Sequence, residues 1–305
     1  MGIPGAPWRA RWLMLTLAVV ALVAAACGGD DADDRPTLFI GGIPDQDVST
    51  LERQFNLLAD YLSDETGLEV EYRSSTDYAA IVTAFARDDV QVGWFGGLTG
   101  VQARERADAA VAIAQRPRDA AFHSVFIVRA ALAEEVRSLA DLRDRSFTFG
   151  SESSTSGHLM PRFFLAEAGI DADQDMDGLP NFSGSHDRTL ALVASGAFDA
   201  GALNEAVWDR AVANGDADPS TVVAFFRTPP YFDYHFVVQG NLDARYGAGT
   251  RASIEGALLR LRPAQSSEVA ELLEIFTTDR FVATEDANYD AIRDVARGLG
   301  ILQGE

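Results

Sequence analysis

Three consecutive hydroxyls, Ser154, Thr155 and Ser156, followed by Gly157, stand between a strand-like segment at residues 146–150 and an apolar helical run. The first turn of a helix carries N–H groups with no intrahelical partner and the positive end of the helix dipole. Hydroxyls placed there can converge with those N–H groups on one small anion. The simpler reading of the same residues is a serine cap with no ligand. Other residues are weaker candidates for chemistry. Gly150-Ser151-Glu152-Ser153-Ser154 falls one glycine short of a nucleophile elbow, because Ser154 carries a Cβ where the strained turn needs none. The four histidines, His123, His158, His186 and His235, are too scattered for a zinc motif. Asp173, Asp175, Asp177 and Gly178 imitate the start of a calcium loop, but Gly184 occupies the position of the closing carboxylate and Pro180 interrupts the loop. His158 could either pack on a helix face beside Met160 or contact a ligand, and Arg162 could face either the anion or a surface carboxylate. The expectation is therefore binding without a catalytic step, with no cofactor and no metal; serine hydrolase chemistry is disfavoured.

The N-terminus carries a targeting signal. Arg9 and Arg11 precede an uncharged run at residues 12–26, and the single cysteine of the chain, Cys27, follows it directly. One thiol cannot form an internal disulfide, whereas a lipid thioether needs only one. Residues 1–26 read as a signal peptide, and residues 27–36 as a lipidated acidic tether with Cys27 as the anchored first residue. The position three before the cysteine is Ala24, where lipoprotein signals usually carry leucine. A secreted protein with a stray cysteine, or a single-span anchor, is the competing reading, although about 15 residues are short for a span. The chain is expected outside the cytoplasm, held to the membrane by lipid.

Composition narrows the partners. All 25 basic residues are arginine, against 46 acidic ones, for a formal charge of -21. No basic stripe exists to neutralise a nucleic-acid backbone, so nucleic acid is excluded as a partner. A recessed, donor-lined site can still take an anion, since screening confines the field of the acidic surface to about 8 Å. A hydrophobic content of 47% supports a sizeable core.

The elements that must position the hydroxyl turn alternate. Residues 37–43, 68–72, 90–95, 109–114 and 122–128 read as strands, with helices at 50–65, 78–87 and 98–106 between them. In the helix at 50–65, Leu51, Phe55, Leu58 and Leu62 share one face. A second alternating block starts near residue 139, with strands at 146–150, 178–182, 198–202 and 221–226 and helices from 156, 187 and 204. Strands separated by helices predict an α/β fold with mostly parallel sheets in two lobes. Lobe 1 is expected at 37–128 and lobe 2 at 129–229, with 230–305 returning to lobe 1 through a strand at 232–238 and three helical segments. The crossings are expected near 128–130 and 228–231.

In this order the segments Thr76-Asp77-Tyr78-Ala79-Ala80-Ile81-Val82, Val92-Gly93-Trp94-Phe95-Gly96-Gly97, Ser154-Thr155-Ser156-Gly157, Ser183-Gly184-Ser185-His186-Asp187 and Phe198-Asp199-Ala200-Gly201-Ala202-Leu203-Asn204 resemble the phosphonate/phosphite-type solute-binding lipoproteins of ABC importers. The resemblance covers nearly all of the mature chain. It implies a two-lobed periplasmic-binding-protein fold of type II-like topology that closes on a tetrahedral oxyanion (phosphonate, phosphite or phosphate-like) and docks on a permease and ATPase complex. It further implies that Ser154, Thr155, Ser156 and a charged His186 contact the anion, that Tyr78 and Asp233 shape the rest of the site, and that Asn204 lies among the ligand contacts. Where phosphonate binders carry a tyrosine, Phe122 stands here, followed by His123; both are counted as site residues. That departure, together with Gly96-Gly97-Leu98-Thr99 and Gln115-Arg116, is similar to a branch associated with selenate or other inorganic oxyanions, so that ligand class stays open. A sensor subunit for a histidine kinase is the other alternative. A monomer is expected.

Overall fold

The computed structural model describes residues 1–2 and 35–302, so the signal peptide, Cys27 and most of the tether lie outside the described residues. From the start of the described domain the chain alternates strand and helix: β1 (Leu38–Gly42), α1 (Val48–Thr66), β2 (Val70–Tyr72), α2 (Tyr78–Ala86), β3 (Val92–Phe95), α3 (Gly97–Arg106), β4 (Val111–Gln115). The second block comprises β5 (Ser124–Arg129), β6 (Phe147–Phe149), α4 (Met160–Glu167), β7 (Asn181–Phe182), α5 (His186–Ala194), β8 (Ala200–Asn204), α6 (Glu205–Asn214) and β9 (Val222–Arg227). The chain then returns through β10 (His235–Val238), α7 (Leu242–Tyr246), α8 (Thr250–Arg260), α9 (Ser267–Ile275), β11 (Val282–Ala283) and α10 (Asp290–Gly298). No helix among the described residues is long and apolar enough to cross a membrane.

Local chemistry accounts for the element ends. Asp47 caps α1 by accepting from Thr50 N–H at 2.9 Å, and Gly67 ends it in the left-handed conformation (φ 67°) while donating to Ser63 O. Leu51, Phe55, Leu58 and Leu62 turn inward, as their spacing predicts, and Phe55 stacks on Tyr72 at 4.9 Å between centroids.

Two sheets form the frame, in the orders β11-β4-β10-β3-β1-β2 and β7-β6-β8-β5-β9. The two-lobed α/β expectation holds, but the sheets are mixed. Among the described residues, β1 with β2, β1 with β3, β6 with β7 and β6 with β8 pair in parallel, and the five remaining pairings are antiparallel. Four of the five antiparallel pairings arise at the crossings. A strand arriving from the other sheet, such as β5 or β10, has no helix feeding it from a parallel neighbour and enters in the opposite direction.

The first crossing also lies earlier than expected. Strand β5 sits in the second sheet between β8 and β9, so the chain changes lobe before Ser124 and not at residues 128–130. The second crossing runs between Arg227 of β9 and His235 of β10, through Tyr231. The two crossing segments are bound to each other: Phe122 N–H donates to Tyr231 O at 2.8 Å, and Tyr231 N–H donates back to Phe122 O at 3.0 Å. A two-residue strand, β11, joins the C-terminal helices where no strand was expected. Separate apolar clusters sit on the first sheet and on each face of the second, and the C-terminal helices complete the first.

Candidate functional site

The hydroxyl turn follows β6. Ser154 caps it, its Oγ accepting from Gly157 N–H at 2.9 Å, so its proton is left to donate. The turn Thr155–Leu159 is π-helical and runs into α4; Pro161 cannot donate there, and Gly157 O, its α-helical acceptor, accepts from Gly150 N–H at 2.8 Å instead. Gly157 is closely fitted: a Cβ there would lie 3.0 Å from His186 Cε1 and 3.1 Å from Gly150 Cα, so these neighbours would have to give by a few tenths of an ångström. Ser154, Thr155 and Ser156 are all buried.

Elements of the first sheet meet this turn. At the start of α3, Gly97 N–H donates to Asp233 Oδ1 at 2.8 Å and Leu98 N–H donates to Thr155 Oγ1 at 2.9 Å. Both bonds use N–H groups of a helix N-terminus, and the second spans the two lobes. Asp233, just past the second crossing, is fully buried, and burial pushes its carboxyl up to about 7 against the pull of the Gly97 N–H. Its Oδ2 and the Tyr78 hydroxyl are buried without a hydrogen-bond partner among the described residues. Tyr78 opens α2 behind its cap Asp77, and its hydroxyl interacts electrostatically with Ser154.

His186 begins α5 and also spans the lobes, its N–H donating to Asp45 O at 3.1 Å. Its Nδ1 accepts from Asn204 N–H at 3.3 Å, which assigns the proton to Nε2. Burial lowers the imidazole to about 3. His186 is therefore a neutral donor in this structure, where a charged one was expected beside the anion: among the described residues no carboxylate pairs with the ring to offset the desolvation of a buried cation.

Next to the ring, the Tyr234 hydroxyl donates to Asp45 Oδ2 at 2.8 Å, accepts from Asn204 Nδ2 at 2.9 Å, and lies 3.3 Å from His186 Nε2. Asn204 thus reaches the cluster through Tyr234, while its Oδ1 caps α6 by accepting from Val207 N–H at 2.7 Å. Tyr231 faces Ser156, and its hydroxyl is 2.7 Å from Ser124 Oγ.

Two expected site residues sit differently. Phe122 is buried but lies edge-on to Tyr234, with ring centroids 5.5 Å apart, as part of the wall behind the cluster. His123 is half-buried, its Nδ1 2.6 Å from Thr228 O, and the structure does not bring it to the hydroxyl turn. The open alternatives for His158 and Arg162 close in the same way: Arg162 Nε donates to His158 Nε2 and its guanidinium pairs with Asp173. His158 packs between Phe149 and Phe182. Among the described residues no group of His, Cys, Asp and Glu could hold a metal ion.

Asp45, Tyr231 and Tyr234 are the cluster members that sequence reasoning missed. Their one available signal was proximity, Tyr231 and Tyr234 flanking Asp233 and Asp45 following β1.

Two mixed sheets joined by paired crossings, with buried donors from both lobes converging between them, define a binding protein of the kind that closes over a small solute. The chain belongs to the phosphonate-binding family of periplasmic substrate-binding proteins of ABC transporters, whose profile matches residues 40–289. It is 42% identical over 270 residues to a probable phosphite-binding ABC transporter protein, PhnD1, of Prochlorococcus marinus strain MIT 9301, covering 87% of this chain and 91% of that one. Identity to the phosphate-import protein PhnD of Mycolicibacterium smegmatis is 28% over 228 residues, covering 69% and 71%. The solved structure of P. marinus PhnD1 in complex with methylphosphonate superposes with a TM-score of 0.83 at 41% identity, covering 87% of this chain and 99% of that one. The expected family, the two-lobed fold and the role as substrate-binding component of an ABC importer are thus established. That role places the protein outside the cytoplasm, with a permease and an ATPase as partners.

Proposed function

We propose that this protein is a lipid-anchored receptor for a small tetrahedral phosphorus oxyanion of the phosphite or methylphosphonate type, with no catalytic step of its own. The observation that carries the reading is the buried meeting of the Ser154-Thr155-Ser156 turn with His186, Tyr78 and Asp233. The hydroxyls, the helix-start N–H groups and the neutral imidazole supply donors to charged oxygens without a counter-ion.

Asp233 argues against the selenate alternative. A carboxyl near pKa 7 exchanges its proton in the neutral range, so it can donate to one ligand oxygen or accept from a ligand O–H. That property matches an anion that itself carries an exchangeable proton at neutral pH, as hydrogenphosphite and phosphonate monoanions do. Sulfate and selenate carry none, and once Asp233 is ionised they would face an uncompensated carboxylate. The relatives named for phosphite, phosphate and methylphosphonate support the same class.

The test is calorimetric titration of phosphite, methylphosphonate, phosphate, sulfate and selenate at neutral pH. Tightest binding of a phosphorus oxyanion is expected. Selenate or sulfate binding as tightly as the best of them would overturn the assignment.

A further inference from the structure

Two cavities lie end to end where the lobes meet, and they share the walls Val207, Arg210 and Ile275. The outer one is an open groove of about 750 Å³ with carboxylates from both lobes, Asp47, Glu271 and Glu274 on one side and Asp187 and Asp216 on the other. The inner one is about 20 Å³, room for one water molecule, and is walled by Asp45, Asn204 and Tyr234, the residues that touch His186. Gln54, also in its wall, has a buried Oε1 without a hydrogen-bond partner among the described residues. Where the two cavities join, Arg210 of α6 donates from Nη2 to Gln46 Oε1 of the opposite lobe.

We infer that this junction is the doorway through which the ligand enters and leaves, and that Arg210 is both its anion-capturing residue and its bolt. The inference rests on the oxyanion reading above. The geometry supplies two separable effects. First, Arg210 is the one basic side chain among the described residues lining a groove that otherwise carries five carboxylates. An approaching anion is repelled by the carboxylates and drawn by Arg210, so the charge acts on the rate of entry and fades with salt. Second, the Arg210–Gln46 bond exists only while the lobes are together, so it acts on the rate of release. Arg210 is not in the hydroxyl cluster and is a positioning residue that acts on the path to it.

Stopped-flow tryptophan fluorescence with phosphite, at fixed pH and two salt concentrations, separates these effects. Arg210→Gln removes the charge and keeps an N–H for Gln46. Its association rate is expected to fall by about tenfold at low salt and to approach the parent at high salt. Arg210→Lys keeps the charge and should associate like the parent. Gln46→Ala breaks the bolt from the other lobe without touching the charge, and release should quicken by about 3- to 10-fold with association unchanged. The melting temperature of each ligand-free variant controls for folding. Arg210→Gln and Gln46→Ala that match the parent in both rates would overturn the doorway while leaving the oxyanion site standing. A parent that takes up neither phosphite nor any other member of the panel would overturn both readings together.

Discussion

Thr155→Val tests the cluster most sharply, because the change is nearly isosteric and removes a single hydroxyl with two duties. Thr155 Oγ1 accepts from Leu98 N–H across the lobes at 2.9 Å, and its proton is available to a ligand oxygen. Losing the hydrogen bond to a charged oxygen costs about 1.5–3 kcal/mol. Leaving Leu98 N–H buried and unpaired adds about 1–3 kcal/mol, but only in the closed form, since opening the lobes returns that group to water. Both losses therefore fall on ligand binding, and affinity should drop by at least about 60-fold. Folding should be nearly untouched. Ser154→Ala makes the contrast. Its Oγ caps the turn, so this variant should lose about 1 kcal/mol of stability along with about 10- to 150-fold in affinity. The assay is calorimetric affinity for the tightest phosphorus oxyanion, set beside the melting temperature of the ligand-free protein. Thr155→Val binding within threefold of the parent would refute the two-duty account, and a larger stability loss in Thr155→Val than in Ser154→Ala would refute the division between closure and folding.

Three further outcomes follow from the same geometry. The Asp233 carboxyl is raised to about 7 in the fold from an ordinary value near 4, so the native state holds the extra proton and stability falls as pH rises from about 4 to 7. Asp233→Asn should accordingly gain on the parent across that window, by up to about 4 kcal/mol above pH 7, whereas a gap in unfolding free energy that does not change with pH would remove the buried-carboxyl account. Nitrogen NMR of His186 at pH 6 should show the neutral tautomer with its proton on Nε2, and an imidazolium signal there would contradict the assignment. Replacing the sole thiol, Cys27→Ser, should release the protein from membrane fractions with its melting curve unchanged; continued membrane association would rule out the lipid anchor.

Much of the layout was legible because alternating helices and strands leave strong periodicity. The helix expected at 50–65 is Val48–Thr66, and the strand expected at 221–226 is Val222–Arg227. Strand direction was not legible. The run Ser124–Arg129 is apolar on both faces whichever sheet it joins, so nothing in its residues says that it pairs with β8 and β9 beyond the crossing. The site shows the same limit. The hydroxyl turn announces itself through cap chemistry that is local in sequence. Asp45 is recruited by a tyrosine 189 positions away, and the neutrality of His186 depends on burial created by both lobes together.

The reciprocal bonds between Phe122 and Tyr231 have a mechanical consequence. Two independent linkers would let the lobes bend, slide and twist separately, whereas linkers stitched side by side behave as one leaf of a door hinge and leave mainly a single rotation. Tyr231 also faces Ser156 in the hydroxyl turn. A solute settling on that turn therefore presses near the axle itself, where a displacement of a fraction of an ångström is geared up into a wide swing at the lobe rims. With the proposed site, the lever arm would put recognition at the pivot and the visible signal of occupancy at the rims.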